Sequence, residues 1–197
     1  MKIEAKLVNE LRQKTGAGMM DCKKALVESN GILEDAIDHL RKAGITKAEK
    51  KGSRQTKEGI IYSYIHAGSR LGVLLEINCE TDFVAKTDGF SELAHSIAMQ
   101  IAATNPLSLD VSSLDEALIA REKNIFKEQA NSEGKPDEII EKMVNGRLQK
   151  FYQESCLLEQ TYIKDPEKKV KDLITESIAT LGENISINRF IRFSIGE

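Results

Sequence analysis

Residues Leu71 to Lys86 read LGVLLEINCETDFVAK, and their pattern indicates the fold most directly. Apolar side chains occupy every second position from residue 73 onward, which predicts a strand with one face in the core: Val73, Leu75, Ile77 and Cys79. The alternation stops at Asp82-Phe83, where the strand should give way to a loop. We therefore expect Phe83 either beneath the next helix or on the surface, where a partner could bind it.

The composition narrows the class of protein. A chain of 197 residues, 41% hydrophobic and 30% charged, has room for one full domain and a small satellite. Its net charge of −3 argues against direct nucleic-acid binding, which usually requires a basic domain. No apolar run approaches the roughly 18 residues that span a bilayer. Residues 1–4 lack an apolar secretory core, so we expect a cytoplasmic protein without membrane contact.

Helical periodicity predicts three short helices between residues 3 and 44, ended by Gly16, Asn30-Gly31 and Gly44. They would form a small bundle over residues 1–45. Residues 46–58 are predicted to be a basic, flexible linker. The wider basic segment 41–57 could instead be an RNA-binding arm, but it has no aromatic side chain on which bases could stack.

From residue 59 the pattern changes to period two. Residues 60–66 and 71–80 are predicted to form a hairpin through a turn at Gly68-Ser69. A third strand follows at the carboxyl end, with one apolar face predicted for Ile185, Ile187, Ile191, Phe193 and Ile195. Only helices are predicted in between, one opened by a capping box at Ser113 and one by Pro136. Residues 59–197 are thus predicted to be an α+β domain, a three-stranded antiparallel sheet covered by helices.

The residues that usually carry catalysis form no credible site. The histidines His39, His66 and His95 are dispersed and lack the spacing of metal ligands. No glycine-rich loop suited to phosphate is present. Cys22 and Cys79 are expected to be buried, and the carboxylates near Cys79 would raise its pKa, which disfavours a thiol nucleophile. The sequence pattern does not indicate whether Cys156 lies on an apolar or a polar face. We expect a binding protein without metal or cofactor rather than an enzyme.

Two separate stretches resemble the signatures of the elongation factor Ts family, namely residues 11–26 and 79–85. Residues 134–147 and 190–193 are also similar to the family, so the resemblance covers nearly the whole chain. It implies a guanine-nucleotide exchange factor for elongation factor Tu that does no covalent chemistry and binds no nucleotide itself. It also implies that the amino-terminal bundle resembles ubiquitin-associated domains.

The resemblance also implies which residues bind the partner. In the family, the Phe that matches Phe83 enters a pocket on the nucleotide domain of elongation factor Tu and disturbs its magnesium site. Asp82 is similarly implicated, and we expect it to position Phe83. The full set implied for this element is Thr81, Asp82, Phe83 and Val84. The bundle is implied to bind through Arg12, Met19 and Met20. A hairpin turn aimed at another partner domain supplies His66, Gly68, Arg70 and Gly72.

The chain departs from longer family members because it carries one copy of the hairpin-plus-helix half. A single half leaves one face of the sheet open, and the family's short forms pair, so we expect a homodimer that covers this face. Three rival functions remain at this point. They are an RNA-binding protein that uses residues 41–57, an enzyme built on Cys79, and a peptide-binding adaptor built on the helical bundle.

Overall fold

The structure is a computed structural model that describes residues 3–132 and 136–196. It confirms the predicted fold class, since amino-terminal helices precede a three-stranded antiparallel sheet that has further helices around it. Within the described ranges, no helix is long and apolar enough to cross a membrane. The similarity to the family at Gly134 and Lys135 lies outside the described residues.

The backbone divides into two compact units. The first takes the described residues of Met1–Tyr62, Glu76–His95 and Asp172–Asn188. The second takes those of Ser63–Leu75, Ser96–Lys171 and Arg189–Glu197. The division into residues 1–45, 46–58 and 59–197 stays a prediction.

The amino-terminal bundle consists of α1 (Ala5–Thr15), α2 (Met19–Glu28) and α3 (Leu33–Lys51). Gly16 ends α1 in the left-handed conformation, as predicted, and its N–H donates to the Arg12 carbonyl at 2.8 Å. The bundle core is formed by small and aliphatic side chains from all three helices: Val8, Leu11, Cys22, Ala25, Leu26 and Ala36.

The predicted end of the third helix at Gly44 is wrong. Helix α3 continues through Gly44 to Lys51, so residues 46–51 of the predicted linker are helical. A side-chain carbon placed at Gly44 would lie 3.3 Å from the Ala179 side chain. The glycine therefore permits close packing here, which offsets its cost of about 1 kcal/mol in a helix interior.

The sheet has the order β1-β2-β5, formed by β1 (Glu58–Ile65), β2 (Leu71–Cys79) and β5 (Ile185–Ser194). The predicted hairpin is confirmed, and the His66 N–H donates to the Leu71 carbonyl at 2.9 Å across its base. The predicted core face of β2 is also confirmed, since its four alternating apolar side chains are buried: Val73, Leu75, Ile77 and Cys79.

The predicted single apolar face of the last strand is wrong. Ile185 and Ile187 are buried, whereas the later apolar side chains Ile191, Phe193 and Ile195 are exposed. Asn188 and Arg189 are adjacent and both exposed, so the alternation shifts by one residue between them. A shift of one residue sends every later side chain to the opposite face of a strand.

Helices α4 (Asp82–Ala85), α5 (Asp88–Thr104), α6 (Glu116–Ser132), α7 (Asp137–Ser155) and α8 (Val170–Leu181) follow the hairpin. The prediction of helices alone in this region is wrong, because β3 (Thr161–Tyr162) and β4 (Asp165–Lys169) form a small antiparallel pair. These strands are short and polar, and they carry no period-two pattern.

The predicted capping box at Ser113 is wrong as well. Helix α6 begins at Glu116, and the Asp115 carboxylate accepts the Ala117 N–H at 2.9 Å. Ser113 belongs to the preceding turn, where its N–H and its hydroxyl both donate to the Asp110 carboxylate. Two neighbouring polar residues could each cap a helix here, and the sequence pattern selected the wrong one.

Candidate partner-binding site

Phe83 lies on the surface at the point where β2 ends. Strand β2 leads into the single turn of α4, and Thr81 precedes that turn in an extended conformation. The Phe83 side chain is 80% exposed, whereas Phe90, seven residues later in α5, is fully buried. The structure therefore decides between the two placements that the sequence left open for Phe83.

The carboxylate of Glu183 holds the backbone just before Phe83. One oxygen, Oε2, accepts the Glu80 N–H at 3.1 Å and the Thr81 N–H at 2.9 Å. The other oxygen, Oε1, accepts the Thr81 hydroxyl at 2.6 Å. Hydrogen bonds to an ionised acceptor are roughly twice as strong as neutral ones, so this carboxylate anchors the turn firmly.

Glu80 extends the same set of contacts. Its Oε1 accepts the Asn184 N–H at 2.7 Å, and its carboxylate lies 3.4 Å from an Arg54 nitrogen. The hydrogen bond from Asn184 is the largest cause that lowers the pKa of Glu80, and the nearby Arg54 charge adds to it. The Asn184 side chain in turn donates to the Arg54 carbonyl at 2.8 Å. Glu80 is therefore ionised at neutral pH and tied to residues far away in the sequence.

Asp82 forms a surface ion pair next to Phe83. Its Oδ2 accepts from Lys86 Nζ at 2.6 Å, one helical turn later. This hydrogen bond is the largest cause that lowers the pKa of Asp82, and the lysine charge is the second. Thr81, Asp82, Phe83 and Val84 therefore form one short turn in which the exposed Phe83 ring follows a carboxylate paired with Lys86.

The Cys79 thiol is poorly suited to nucleophilic chemistry. It is buried, and its sulfur donates to the Thr81 carbonyl at 3.1 Å. Burial is the main cause that raises its pKa, and the negative charge of Glu183 adds to the shift. A buried thiol that stays protonated can pack the end of the strand but cannot attack a substrate.

The two adjacent methionines of the bundle are both exposed. Met19 is 50% exposed and Met20 is 75% exposed, in the first turn of α2, while Cys22 points into the core. Arg12 is an exposed residue in the last turn of α1. The sequence required only one of the methionines to be exposed, whereas the structure presents two flexible thioethers.

The hairpin turn of the second unit carries the remaining predicted residues. Gly68 has a φ of +89°, and among the described residues no atom lies within 4 Å of the position that a side-chain carbon would occupy. The Nδ1 of His66 lies 2.8 Å from the Tyr64 hydroxyl, and the Arg70 carbonyl accepts the Ile195 N–H at 2.9 Å. A side-chain carbon at Gly72 would meet Ile65 at 3.0 Å. His66, Gly68 and Arg70 are therefore exposed in the loop, which is supported by the residue after β5, whereas Gly72 is half-buried in β2.

Sequence reasoning missed the residues that hold the Phe83 turn in place. Glu183 and Asn184 lie about a hundred positions after that turn, between α8 and β5. Their only local signal is a polar pair directly after Gly182, which also suits an ordinary loop. Arg54 lies in the segment for which the sequence predicts a basic, flexible linker.

Comparison with known proteins gives relatives along the whole chain. The family model described as Elongation factor TS matches residues 2–197. The elongation factor Ts of Syntrophomonas wolfei is 59% identical over 99% of this chain and 91% of that protein. The elongation factor Ts of Nitratidesulfovibrio vulgaris is 54% identical over 100% of this chain and 98% of its own. The elongation factor Ts of a Thermoanaerobacter species is 56% identical over 99% of this chain and 96% of that protein. The chain therefore belongs to the elongation factor Ts family.

Proposed function

We propose that this chain is a guanine-nucleotide exchange factor for elongation factor Tu in translation elongation, acting in the cytoplasm without covalent chemistry. Membership of the family supports the proposal. The observation that carries its mechanism is Phe83, an aromatic side chain that is 80% exposed on an anchored turn. Such a side chain is free to enter a pocket on the partner.

Exchange of this kind needs no catalytic group. The exchange factor must bind the nucleotide-free partner more tightly than the nucleotide-bound partner. Thermodynamic linkage then requires the exchange factor and the nucleotide to lower each other's affinity for the partner by the same ratio. Each tenfold weakening takes about 1.4 kcal/mol. Burial of one Phe contributes about 1.5–3 kcal/mol, which accounts for roughly one to two factors of ten. Any further coupling has to come from other contacts.

The proposed cycle begins when the factor binds elongation factor Tu in its GDP form. Phe83 enters a pocket on the nucleotide domain and disturbs the magnesium site, Asp82 positions Phe83, and GDP leaves. GTP binding then displaces the factor. Thr81 and Val84 complete the inserted turn.

Two further surfaces are proposed to supply the remaining contact energy. On the bundle, Arg12 offers a charge, and Met19 and Met20 offer side chains that adapt to an irregular surface. The hairpin turn offers a second contact, to another domain of the partner, through the exposed loop residues His66, Gly68 and Arg70 and through Gly72 at the start of β2.

We also propose that two copies of the chain pair through the open face of the sheet. In the second unit, four exposed apolar side chains support this proposal: Ile65, Leu74, Phe193 and Ile195. A symmetric interface would remove the same apolar surface from water on both copies. Sedimentation equilibrium at micromolar concentration tests the proposal, and Phe193→Glu should shift a dimer to monomer. A wild-type monomer under these conditions would refute it.

The function is tested by the release of a fluorescent GDP analogue from purified elongation factor Tu, with and without this protein. We expect acceleration at substoichiometric amounts and a loss of about ten- to a hundredfold in Phe83→Ala, from the burial energy above. Leu107→Ala is a matched control, because Leu107 is an exposed apolar side chain in the second unit. An unchanged rate in folded Phe83→Ala would refute the wedge, and no acceleration by the wild type would refute exchange.

A further inference from the structure

We propose that Glu183 is a positioning residue for exchange, because it fixes the direction in which the Phe83 turn leaves the sheet. The inference rests on the proposed exchange function and adds to it a residue outside the signature. Glu183 lies in the segment between α8 and β5, about a hundred positions after the turn that it holds. Its hydrogen bonds go to Glu80 and Thr81, the two residues that precede α4.

The contacts of Glu183 occupy both of its oxygens. Two successive backbone N–H groups, of Glu80 and Thr81, converge on Oε2 at 3.1 and 2.9 Å. The Thr81 hydroxyl donates to Oε1 at 2.6 Å. Because one carboxylate binds both the main chain and the side chain of Thr81, it restrains the position and the orientation of this residue.

Glu183 also affects the start of α4, because it binds the Thr81 hydroxyl. A hydroxyl has one proton, and here the proton goes to Glu183. The lone pairs of the oxygen are then left to accept the Val84 N–H, which lies 3.5 Å away at the start of α4. Glu183 therefore favours the hydroxyl orientation that caps the helix.

Neither the length of α4 nor the packing of the Phe83 ring is enough to keep the turn in one conformation. Helix α4 spans Asp82–Ala85, and a helix of four residues is far too short to be stable by itself. Phe83 is mostly in water, so packing of its own ring holds it only weakly. The direction of Phe83 thus depends on Thr81, the residue that precedes α4. Glu183 accepts the N–H and the hydroxyl of Thr81, and the Cys79 thiol donates to its carbonyl.

Glu183 is itself held in place by neighbouring contacts. The Asn184 N–H donates to the Glu80 carboxylate at 2.7 Å, so the two segments exchange backbone-to-carboxylate hydrogen bonds in both directions. On the other side, Lys51 Nζ donates to the Gly182 carbonyl at 2.6 Å. The carboxylate therefore sits on a restrained segment, as a positioning group requires.

The test measures nucleotide release from elongation factor Tu with Glu183→Ala, Phe83→Ala and the double variant, each corrected for its folded fraction. Glu183→Gln keeps the size of the side chain but replaces one acceptor oxygen by an NH₂ donor. This variant replaces Glu183→Ala in the test if Glu183→Ala folds poorly. Glu92→Gln is the control, an exposed glutamate on α5. We expect the Glu183 variants to lose about ten- to a hundredfold in exchange rate, as misplacement of a positioned group does.

The double variant separates positioning from general destabilisation. If Glu183 acts through Phe83, its removal costs little more once Phe83 is already Ala, so the two effects are non-additive. Additive losses, or full activity of folded Glu183→Ala beside an impaired Phe83→Ala, would overturn the inference and leave exchange intact. A wild type that fails to accelerate release would instead overturn the proposed function and this inference with it.

Discussion

Replacement of Gln100 by Leu should destabilise the second unit, because the Gln100 side chain is fully buried and fully engaged. Its Nε2 donates to Gln160 Oε1 at 3.0 Å and to the Thr161 carbonyl at 3.1 Å. Its Oε1 accepts the Ile163 N–H at 2.9 Å. This one amide thus ties α5 to the start of the small β3–β4 pair.

The expected magnitude follows from the groups that Gln100→Leu leaves behind. Gln160 Oε1 loses the hydrogen bond from Gln100 but still accepts the Thr104 hydroxyl at 2.7 Å, so this oxygen adds little to the destabilisation. The Thr161 carbonyl and the Ile163 N–H each lose the Gln100 partner, and a buried polar group without a partner costs about 1–3 kcal/mol. Since both groups are only partly buried, we expect a total loss of about 2–3 kcal/mol in the free energy of unfolding. The melting temperature should fall by about 5–10 °C.

Two measurements check this prediction. Urea unfolding followed by circular dichroism gives the free energy, with Gln149→Leu on the exposed face of α7 as the matched control. Amide hydrogen exchange reports on the site itself, since the Ile163 N–H should lose protection in Gln100→Leu and keep it in the control. A loss below about 0.5 kcal/mol, typical of surface substitutions, together with unchanged exchange at Ile163 would refute the reasoning.

Three further predictions concern a glycine, a carboxylate and the thiols. A side-chain carbon at Gly59 would lie 2.3 Å from the Ile77 carbonyl oxygen, so Gly59→Ala should cost about 1–3 kcal/mol or more in urea unfolding. Gly146 lies in the middle of α7, where no described atom outside the helix's own backbone comes within 4 Å of the added carbon, so Gly146→Ala should instead stabilise the protein by about 0.5–1 kcal/mol. Equal effects of the two glycine substitutions would contradict the prediction. Hydrogen bonds from Lys169 and Lys171 lower the pKa of Glu159 from its ordinary value of 4.5. The ionised Glu159 therefore contributes fully to stability above pH 4.5, and this contribution is lost as the pH falls through the lowered pKa of the folded state. The stability difference between wild type and Glu159→Gln should therefore shrink in acid, and a difference that grows there would contradict this. Cys22, Cys79 and Cys156 are all buried free thiols, so the native protein should react slowly with a thiol reagent and expose three thiols in denaturant. Rapid labelling of Cys79 in the native protein would revive the thiol-enzyme alternative.

The elements that sequence reasoning predicted best are those whose pattern is local. The core face of β2 follows from the period-two spacing of its apolar residues, and the end of α1 follows from a glycine that can adopt a positive φ. The hairpin follows from two alternating stretches joined by a glycine-containing turn. In each case, the residues that decide the structure lie within a few positions of one another.

The elements that sequence reasoning predicted wrongly depend on distant contacts. Helix α3 passes through Gly44 because the glycine packs close to Ala179, and no local signal reports that neighbour. The pair β3–β4 carries no alternating pattern, and its attachment to Gln100 comes from a helix about sixty residues earlier. The change of face in β5 falls between Asn188 and Arg189. Either polar residue could lie on the solvent face of a strand, so the sequence does not reveal the shift.

The candidate site shows the same division. The fold class, the strand that leads to Phe83 and the signature of the family follow from the amino-acid order, because hydrophobic period and motif order are properties of the chain alone. The exposure of Phe83 and of both methionines, and the anchoring of the turn by Glu183, follow from the packing of the folded chain and not from a local pattern. Exposure and long-range hydrogen bonds depend on which residues meet in space, and the folded backbone brings residues 81 and 183 together.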